Sequence, residues 1–254
     1  MKNKWKIRPI MTGANYVDKG LYATHQTDVG TRIKLPALAF LVEGYDRRIL
    51  VDTGMSDGEH ATRWHHNGEQ GPDQAIHKAL AKIDVPTESI ETILFTHLHW
   101  DHCFNLDQFP AARKVVSEEE WRFAQNPIPI YWNSYEAPIL GIGKPRPFDG
   151  VKFDKVNGEE QILEGIRMFP TPGHSTGHMA VQVNTEQGVI VLAGDCFFIK
   201  ENLLPDKRRN WPFLPIGRFA NVVDLWHSCE EILRRADLVL MSHEWSHLEQ
   251  EVYG

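Results

Sequence analysis

The sequence predicts an α/β fold. Three observations predict it. Short apolar runs of strand length alternate with segments of helical spacing. Four of the apolar runs end in a histidine or an aspartate, the way an α/β protein delivers side chains to a strand-end site. The chain is also long and apolar enough, at 254 residues and 42% hydrophobic, to bury one sizeable core. We therefore read residues 1–254 as a single domain.

The elements follow in order. ALAFLV (37–42) and RILV (48–51), joined by the polar EGYDRR, read as a hairpin whose second strand ends at Asp52-Thr53-Gly54. Residues 73–83 place Ile76, Leu80 and Ile83 on one helical face, with Asp73 as the expected cap and Pro86 beyond the end. ETILFTH (91–97) is a buried strand, and a helix follows the histidines at its end. A further helix spans 118–124, with Ser117 as cap and Glu120 at the capping-box position. Residues 126–150 fit no regular element. Their prolines, glycines and aromatics predict a pocket-covering insertion over a plain surface connection, because a solvated linker does not need Tyr131, Trp132 and Tyr135. Strands at 164–169, 179–183 and 189–193, a helix at 224–235 and a strand at 237–241 complete the pattern.

Composition excludes several classes. A formal charge of −7 gives no case for nucleic-acid binding. No run approaches 18 apolar residues, so no membrane-spanning helix is expected. MKNKWKIRPI lacks the apolar stretch of a secretory signal, and three cysteines make no disulfide framework, so a cytoplasmic protein is expected. Cys103, Cys196 and Cys229 read as small packed residues, and His65-His66 as a polar loop.

The chemistry concentrates in THLHWDH (96–102). Crowded histidines repel one another when protonated, so a metal-free cluster is disfavoured. His97 and His99 alternate on an extended segment and can approach one cation together. Asp101 and His102 occupy the next turn and can approach another. His174, Asp195 and His243 arrive from three other strand ends. Seven ligands exceed what one zinc ion takes, about four, and match two divalent ions sharing Asp195. Asp52 is expected to hydrogen-bond a ligand rather than to bind metal.

THLHWDH, TPGHSTGH, GDCFF and SHEW together resemble the metallo-beta-lactamase fold superfamily over nearly the whole chain. The resemblance implies a four-layer αβ/βα sandwich with two metal ions, zinc by expectation, at one edge. It implies that His97, His99 and His174 hold one ion, that Asp101, His102 and His243 hold the other, and that Asp195 bridges them. Length and segment order most resemble the N-acyl homoserine lactonase group. The activity this implies is opening of a lactone ring, in an acyl homoserine lactone or similar small lactone, by attack of a metal-bridging hydroxide, with Asp101 as a candidate proton shuttle. The alternatives on the same fold are a thioesterase, a phosphodiesterase and a metal-binding protein without hydrolytic activity.

One departure stands out. The resembled lactonases carry a tyrosine three residues after the bridging aspartate, and Phe198 stands there here. Phenylalanine cannot donate a hydrogen bond. Tyr22, Tyr131, Tyr135 and His178 are the candidate replacements, and Phe197 and Phe198 are candidates to pack an acyl or aromatic group. The expected partner is a small lactone or ester. The aromatic stretches 126–148 and 211–219 are candidates to cover a pocket or to bury a homodimer interface.

Overall fold

The computed structural model describes residues 4–254. Two sheets lie face to face. The first contains β1 (Lys6–Asp18), β2 (Arg32–Gly44), β3 (Arg47–Val51), β4 (Asn67–Glu69), β5 (Thr92–Leu94), β6 (Arg113–Ser117) and β7 (Asp154–Val156), in the order β4-β1-β2-β3-β5-β6-β7. The second contains β8 (Glu160–Leu163), β9 (Ile166–Pro170), β10 (Met179–Thr185), β11 (Gly188–Leu192) and β12 (Leu238–Leu240), in the order β12-β11-β10-β9-β8. The helices are α1 (Gly58–Trp64), α2 (Ile76–Ala81), α3 (Trp100–Cys103), α4 (Glu118–Gln125) and α5 (Val222–Arg235).

The period of two along each strand builds the layers. Phe40, Val42, Ile49 and Val51 of the first sheet meet Val181, Val183, Ile190 and Leu192 of the second in the central core. The intervening Leu41 and Leu50 face outward onto Ile76 and Leu80 of α2. On the far side, Ala180 and Val191 face Leu225, Cys229 and Ile232 of α5. This is the expected αβ/βα sandwich.

Strand direction positions the site. β3, β5 and β6 are mutually parallel in the first sheet. β9 and β11 both run antiparallel to β10, and β12 is parallel to β11. The carboxyl ends of β9, β11 and β12 therefore share one edge, as do those of β3 and β5.

Several expectations change. β1, paired along β2, carries Pro9 and a register shift between Met11 and Gly13, so it shows no clean alternation to read. Asp73 does not cap α2. That helix starts at Ile76 with Ala75 before it, and Asp73 pairs with Lys82 at 2.7 Å instead. Ser117 does cap α4, accepting from the backbone of Glu119 and Glu120. Glu120 does not complete a capping box, because its carboxylate is turned inward. Among the described residues no helix is long and apolar enough to cross a membrane.

Candidate metal centre

The loop after β5 carries His97 and His99, and α3 carries Asp101 and His102. The turn after β9 brings His174, the turn after β11 brings Asp195 and the turn after β12 brings His243. All seven converge, and all but Asp101 are buried. Asp195 divides its two oxygens between two groups. Oδ2 lies 3.3 Å from His174 Nε2 and 3.9 Å from His97 Nε2. Oδ1 lies 3.2 Å from both His102 Nε2 and His243 Nε2. Asp101 completes the second group, one oxygen 4.0 Å from His102 Nε2 and the other 4.0 Å from His243 Nε2. In the first group His99 Nδ1 lies 3.0 Å from His174 Nε2.

The ring nitrogens turned away from the centre are anchored. His102 Nδ1 donates to Asp52 Oδ2 at 2.8 Å, His174 Nδ1 to the Arg218 carbonyl at 2.9 Å and His243 Nδ1 to the Pro36 carbonyl at 2.8 Å. Thr96 Oγ1 donates to Asp52 Oδ2 and is 3.0 Å from His97 Nδ1, from which it accepts. In its neutral form each of these rings directs an Nε2 lone pair inward. His97 Nε2, His102 Nε2 and Asp195 Oδ1 are among the buried atoms without a hydrogen-bond partner. Lone pairs aimed at lone pairs call for a cation between them. Donors about 2.0–2.1 Å from a tetrahedral ion stand about 3.3 Å apart, close to three of the four distances around Asp195, the fourth being 3.9 Å to His97. The residues present fit a dinuclear site for divalent cations.

Electrostatics agree. Burial, followed by neighbouring imidazoles, holds His97 and His99 well below the usual histidine range. Burial opposes ionisation of Asp195, but His102, His243 and His174 outweigh it and hold the carboxyl well below the usual range. Burial also works against charge on His102, yet Asp195, Asp52 and Asp101 raise it well above its ordinary value. Three carboxylates around His102 draw in positive charge, whether a proton or a metal ion supplies it.

Supporting side chains lock these loops. Asp52 accepts from Thr96 N–H as well as Thr96 Oγ–H, both at 2.8 Å. His178 accepts from the Asp195 N–H at 3.1 Å while its Nδ1 donates to Thr171 at 2.9 Å. Burial pulls His178 down to about 3, so it stays neutral in this tautomer. Gly194 sits at φ +51, and a Cβ there would come within 2.6 Å of His178 Nε2. Glu120, fully buried, joins the two halves of the site. It accepts from Leu98 N–H, between the first two ligands, and from Ser175 Oγ and Gly177 N–H beside His174. A Cβ on Gly177 would come within 2.0 Å of the Glu120 backbone nitrogen, so only glycine permits the approach.

A narrow cleft opens onto the centre. Tyr22 and Phe198 line it, with Val17, Leu35, His66, Ser134 and Arg218. The other aromatic candidates lie elsewhere. Phe197 packs against Phe213 in the α5 layer. Tyr135 is fully buried and donates to Glu120 at 2.7 Å. Tyr131 lies behind the wall, under the guanidinium of Arg218. His178 sits behind Asp195. From residues 126–150, Ser134 reaches the cleft. His65 and His66 do not form the expected polar loop. His66 lines the cleft, while His65 stacks on Trp100, centroids 4.0 Å apart, and meets Glu136 at 2.9 Å. His60 meets the same Glu136 oxygen at 2.5 Å. These are hydrogen-bond lengths rather than the edges of a cation site, and the trio braces Trp100.

Sequence reasoning missed Glu120 and Arg218 as parts of the site. Glu120 carries no local signal, because three residues after a serine it resembles a cap. Arg218 did leave one, as the single charge in WPFLPIGRF (211–219).

The family model of the metallo-beta-lactamase superfamily matches residues 32–243. The chain belongs to that superfamily. Among curated superfamily relatives, an N-acyl homoserine lactonase of Bacillus cereus is 23% identical over 232 residues, 87% of this chain and 85% of that one. YobT of Bacillus subtilis, an uncharacterized protein, is 27% identical over 208 residues, 80% and 78% of the two chains. Two solved structures share the fold. An N-acyl homoserine lactone hydrolase with N-hexanoyl-L-homoserine at its catalytic metal centre has a TM-score of 0.75 at 20% identity, covering 98% of this chain and 96% of its own. AidC, a dizinc quorum-quenching lactonase, has a TM-score of 0.68 at 18% identity, covering 96% and 90%.

Proposed function

We propose that this superfamily member is a zinc-dependent hydrolase that opens the ring of a small lactone. The observation that carries the reading is Asp195, whose two oxygens face two separate groups of inward-directed ligands. The lactonase relatives support the bond cleaved. His97, His99 and His174 would hold one ion, Asp101, His102 and His243 the other, with Asp195 between them. When bound, two zinc ions supply Lewis acidity that acidifies water and polarises a carbonyl.

The chain's own residues do the rest. Ring opening adds water across the acyl C–O bond: the water oxygen joins the carbonyl carbon, and the ring oxygen leaves as a hydroxyl. A proton must move from the water to that oxygen. Asp101 is the carboxylate placed for the transfer, since its side chain is the most exposed of the ligand set at 17% and lines the cleft. Phe198 gives the leaving oxygen no donor. Tyr22 lines the same cleft, and burial raises its pKa so the hydroxyl keeps its proton. We assign Tyr22 the donor role that Phe198 cannot fill. Val17, Leu35 and Phe198 form an apolar wall for the substrate's carbon skeleton.

The test is a hydrolysis screen of zinc-loaded protein against acyl homoserine lactones, simple lactones, thioesters and phosphodiesters. Turnover is expected with lactones and lost in His99→Ala. Hydrolysis confined to thioesters or phosphodiesters overturns the lactone reading. Undiminished turnover in His99→Ala overturns the site.

A further inference from the structure

Arg218 is a fixed cation that the ring-opening scheme does not use. Its backbone N–H donates to the Tyr22 carbonyl at 3.2 Å, and its own carbonyl accepts from His174 Nδ1. Its guanidinium lies 4.7 Å from the centroid of Tyr131 and donates to Ser134 Oγ at 3.2 Å. The Tyr131 ring is itself 6.3 Å from the His99 ring, so the guanidinium is held beside the metal-ligand cluster.

That placement leaves the charge unanswered. Other arginines have carboxylate partners: Arg146 has Asp149 and Arg209 has Asp206. Arg218 forms no such pair among the described residues, and Ser134 takes one of the five N–H donors of a guanidinium. The two acids that share the cleft are turned to histidines, Asp101 toward His102 and His243, and Asp195 toward His102, His174 and His243. A partly buried arginine next to a site for two dications adds repulsion, against which the ring of Tyr131 is set but no paired carboxylate. An incoming anion would offset it. The planar fork of the guanidinium suits a carboxylate held by two parallel hydrogen bonds.

We propose that Arg218 is the anchor for a carboxylate on the substrate, so that the preferred lactone is an anionic one rather than a neutral acyl lactone. The proposal rests on the lactone reading for the bond cleaved, but the subsite can be tested apart from it. The cleft then has three parts: metal ligands at the ring carbonyl, an apolar wall of Val17, Leu35 and Phe198, and Arg218 at the carboxylate.

Two measurements test it. The first compares kcat/KM for γ-butyrolactone and for the same ring bearing a carboxylate, with wild-type protein, Arg218→Lys and Arg218→Met. A charged hydrogen bond is worth about ten- to hundredfold, so wild type should favour the carboxylated ring by that factor. The preference should shrink in Arg218→Lys and vanish in Arg218→Met, mainly through KM. Equal handling of both rings by wild type, or a preference that survives in Arg218→Met, overturns the proposal. The second is calorimetric binding of cyclopentanecarboxylate and cyclopentanecarboxamide, whose carbocyclic rings have no ester bond to hydrolyse. Wild type should bind the carboxylate at least tenfold more tightly than the amide, and Arg218→Met should lose the difference. That result with no lactone turnover would sink the lactone reading and leave the anion subsite standing. Carboxylate binding undiminished in Arg218→Met would assign it to the metals alone and overturn the proposal.

Discussion

Replacing Asp52 with asparagine tests how the second metal position is built. The substitution preserves shape, and the residue sits at φ +61, a conformation asparagine tolerates well. What changes is one oxygen. Asp52 Oδ2 accepts from His102 Nδ1 and from Thr96 Oγ1, while Oδ1 accepts from Thr96 N–H. An amide nitrogen in the Oδ2 place faces His102 Nδ1–H with another donor. His102 must then move its proton to Nε2, the atom 3.2 Å from Asp195 Oδ1, where it blocks a metal ion, or else turn away. The loss is one hydrogen bond to a charged group, about 1.5–3 kcal/mol, or about 10- to 150-fold in affinity. It should fall on the ion held by Asp101, His102 and His243 more than on the one held by His97, His99 and His174. Competition with a chromophoric zinc chelator resolves the two ions. Unchanged affinity at both positions, or earlier loss of the ion at His97, would refute the orientation argument.

The remaining predictions use other contacts. Tyr22→Phe should lower kcat on lactones by about 10²-fold with little change in zinc content, as expected for removal of a proton donor, and wild-type kcat would refute the assignment. Glu120→Leu strands buried donors on Leu98, Tyr135, Ser175 and Gly177, each at about 1–3 kcal/mol, so urea unfolding should show a loss above about 4 kcal/mol and Glu120→Gln a smaller one. His247 accepts from Met241 N–H, and burial lowers its pKa from 6.5 to about 4. Below pH 6.5 the unfolded chain therefore gains a proton that the folded chain does not. This one group should take about 2 kcal/mol from the wild-type stability between pH 7 and pH 5, and His247→Gln should lack that component. Stripping zinc should lower Tm on the order of 10 °C, since each ion at 100 times its dissociation constant contributes about 2.7 kcal/mol, and an unchanged Tm would count against bound structural charge at this edge.

The ligand set was legible for a local reason. HLHWDH packs four ligands into six positions of continuous chain, and each remaining ligand follows directly on an apolar run that reads as a strand. The helix caps were less secure. Ser117 capped α4 as its chemistry suggests, whereas Asp73 was drawn to Lys82 and Glu120 into the interior. A carboxylate three residues after a serine has the same local pattern whether it turns back to the cap or across to another loop. The tyrosines were ambiguous in the same way. Tyr22, Tyr131 and Tyr135 carry the same side chain, yet one faces the cleft, one supports Arg218 and one is sealed against Glu120.

The sequence by itself determined the α/β class, the apolar runs that become strands and the histidines and aspartates that gather at one site. Those features reside in spacing between near neighbours, which backbone geometry converts directly into local structure. Only the tertiary structure decided that the ends of β9, β11 and β12 share an edge with those of β3 and β5, because that depends on strand direction across whole sheets. It also decided the partners of the ligands: Asp52 reaches His102 across 50 residues, and Glu120 reaches Ser175 across 55. That Asp52 holds a ligand was expected from its place at a strand end, but which ligand it holds, and the reach of Glu120 to Ser175, depend on packing that no local pattern announces. Arg218 is the clearest instance. The sequence shows an arginine in an apolar stretch, and the fold turns it into a cation without a carboxylate partner among the described residues, lining the cleft at the candidate metal centre.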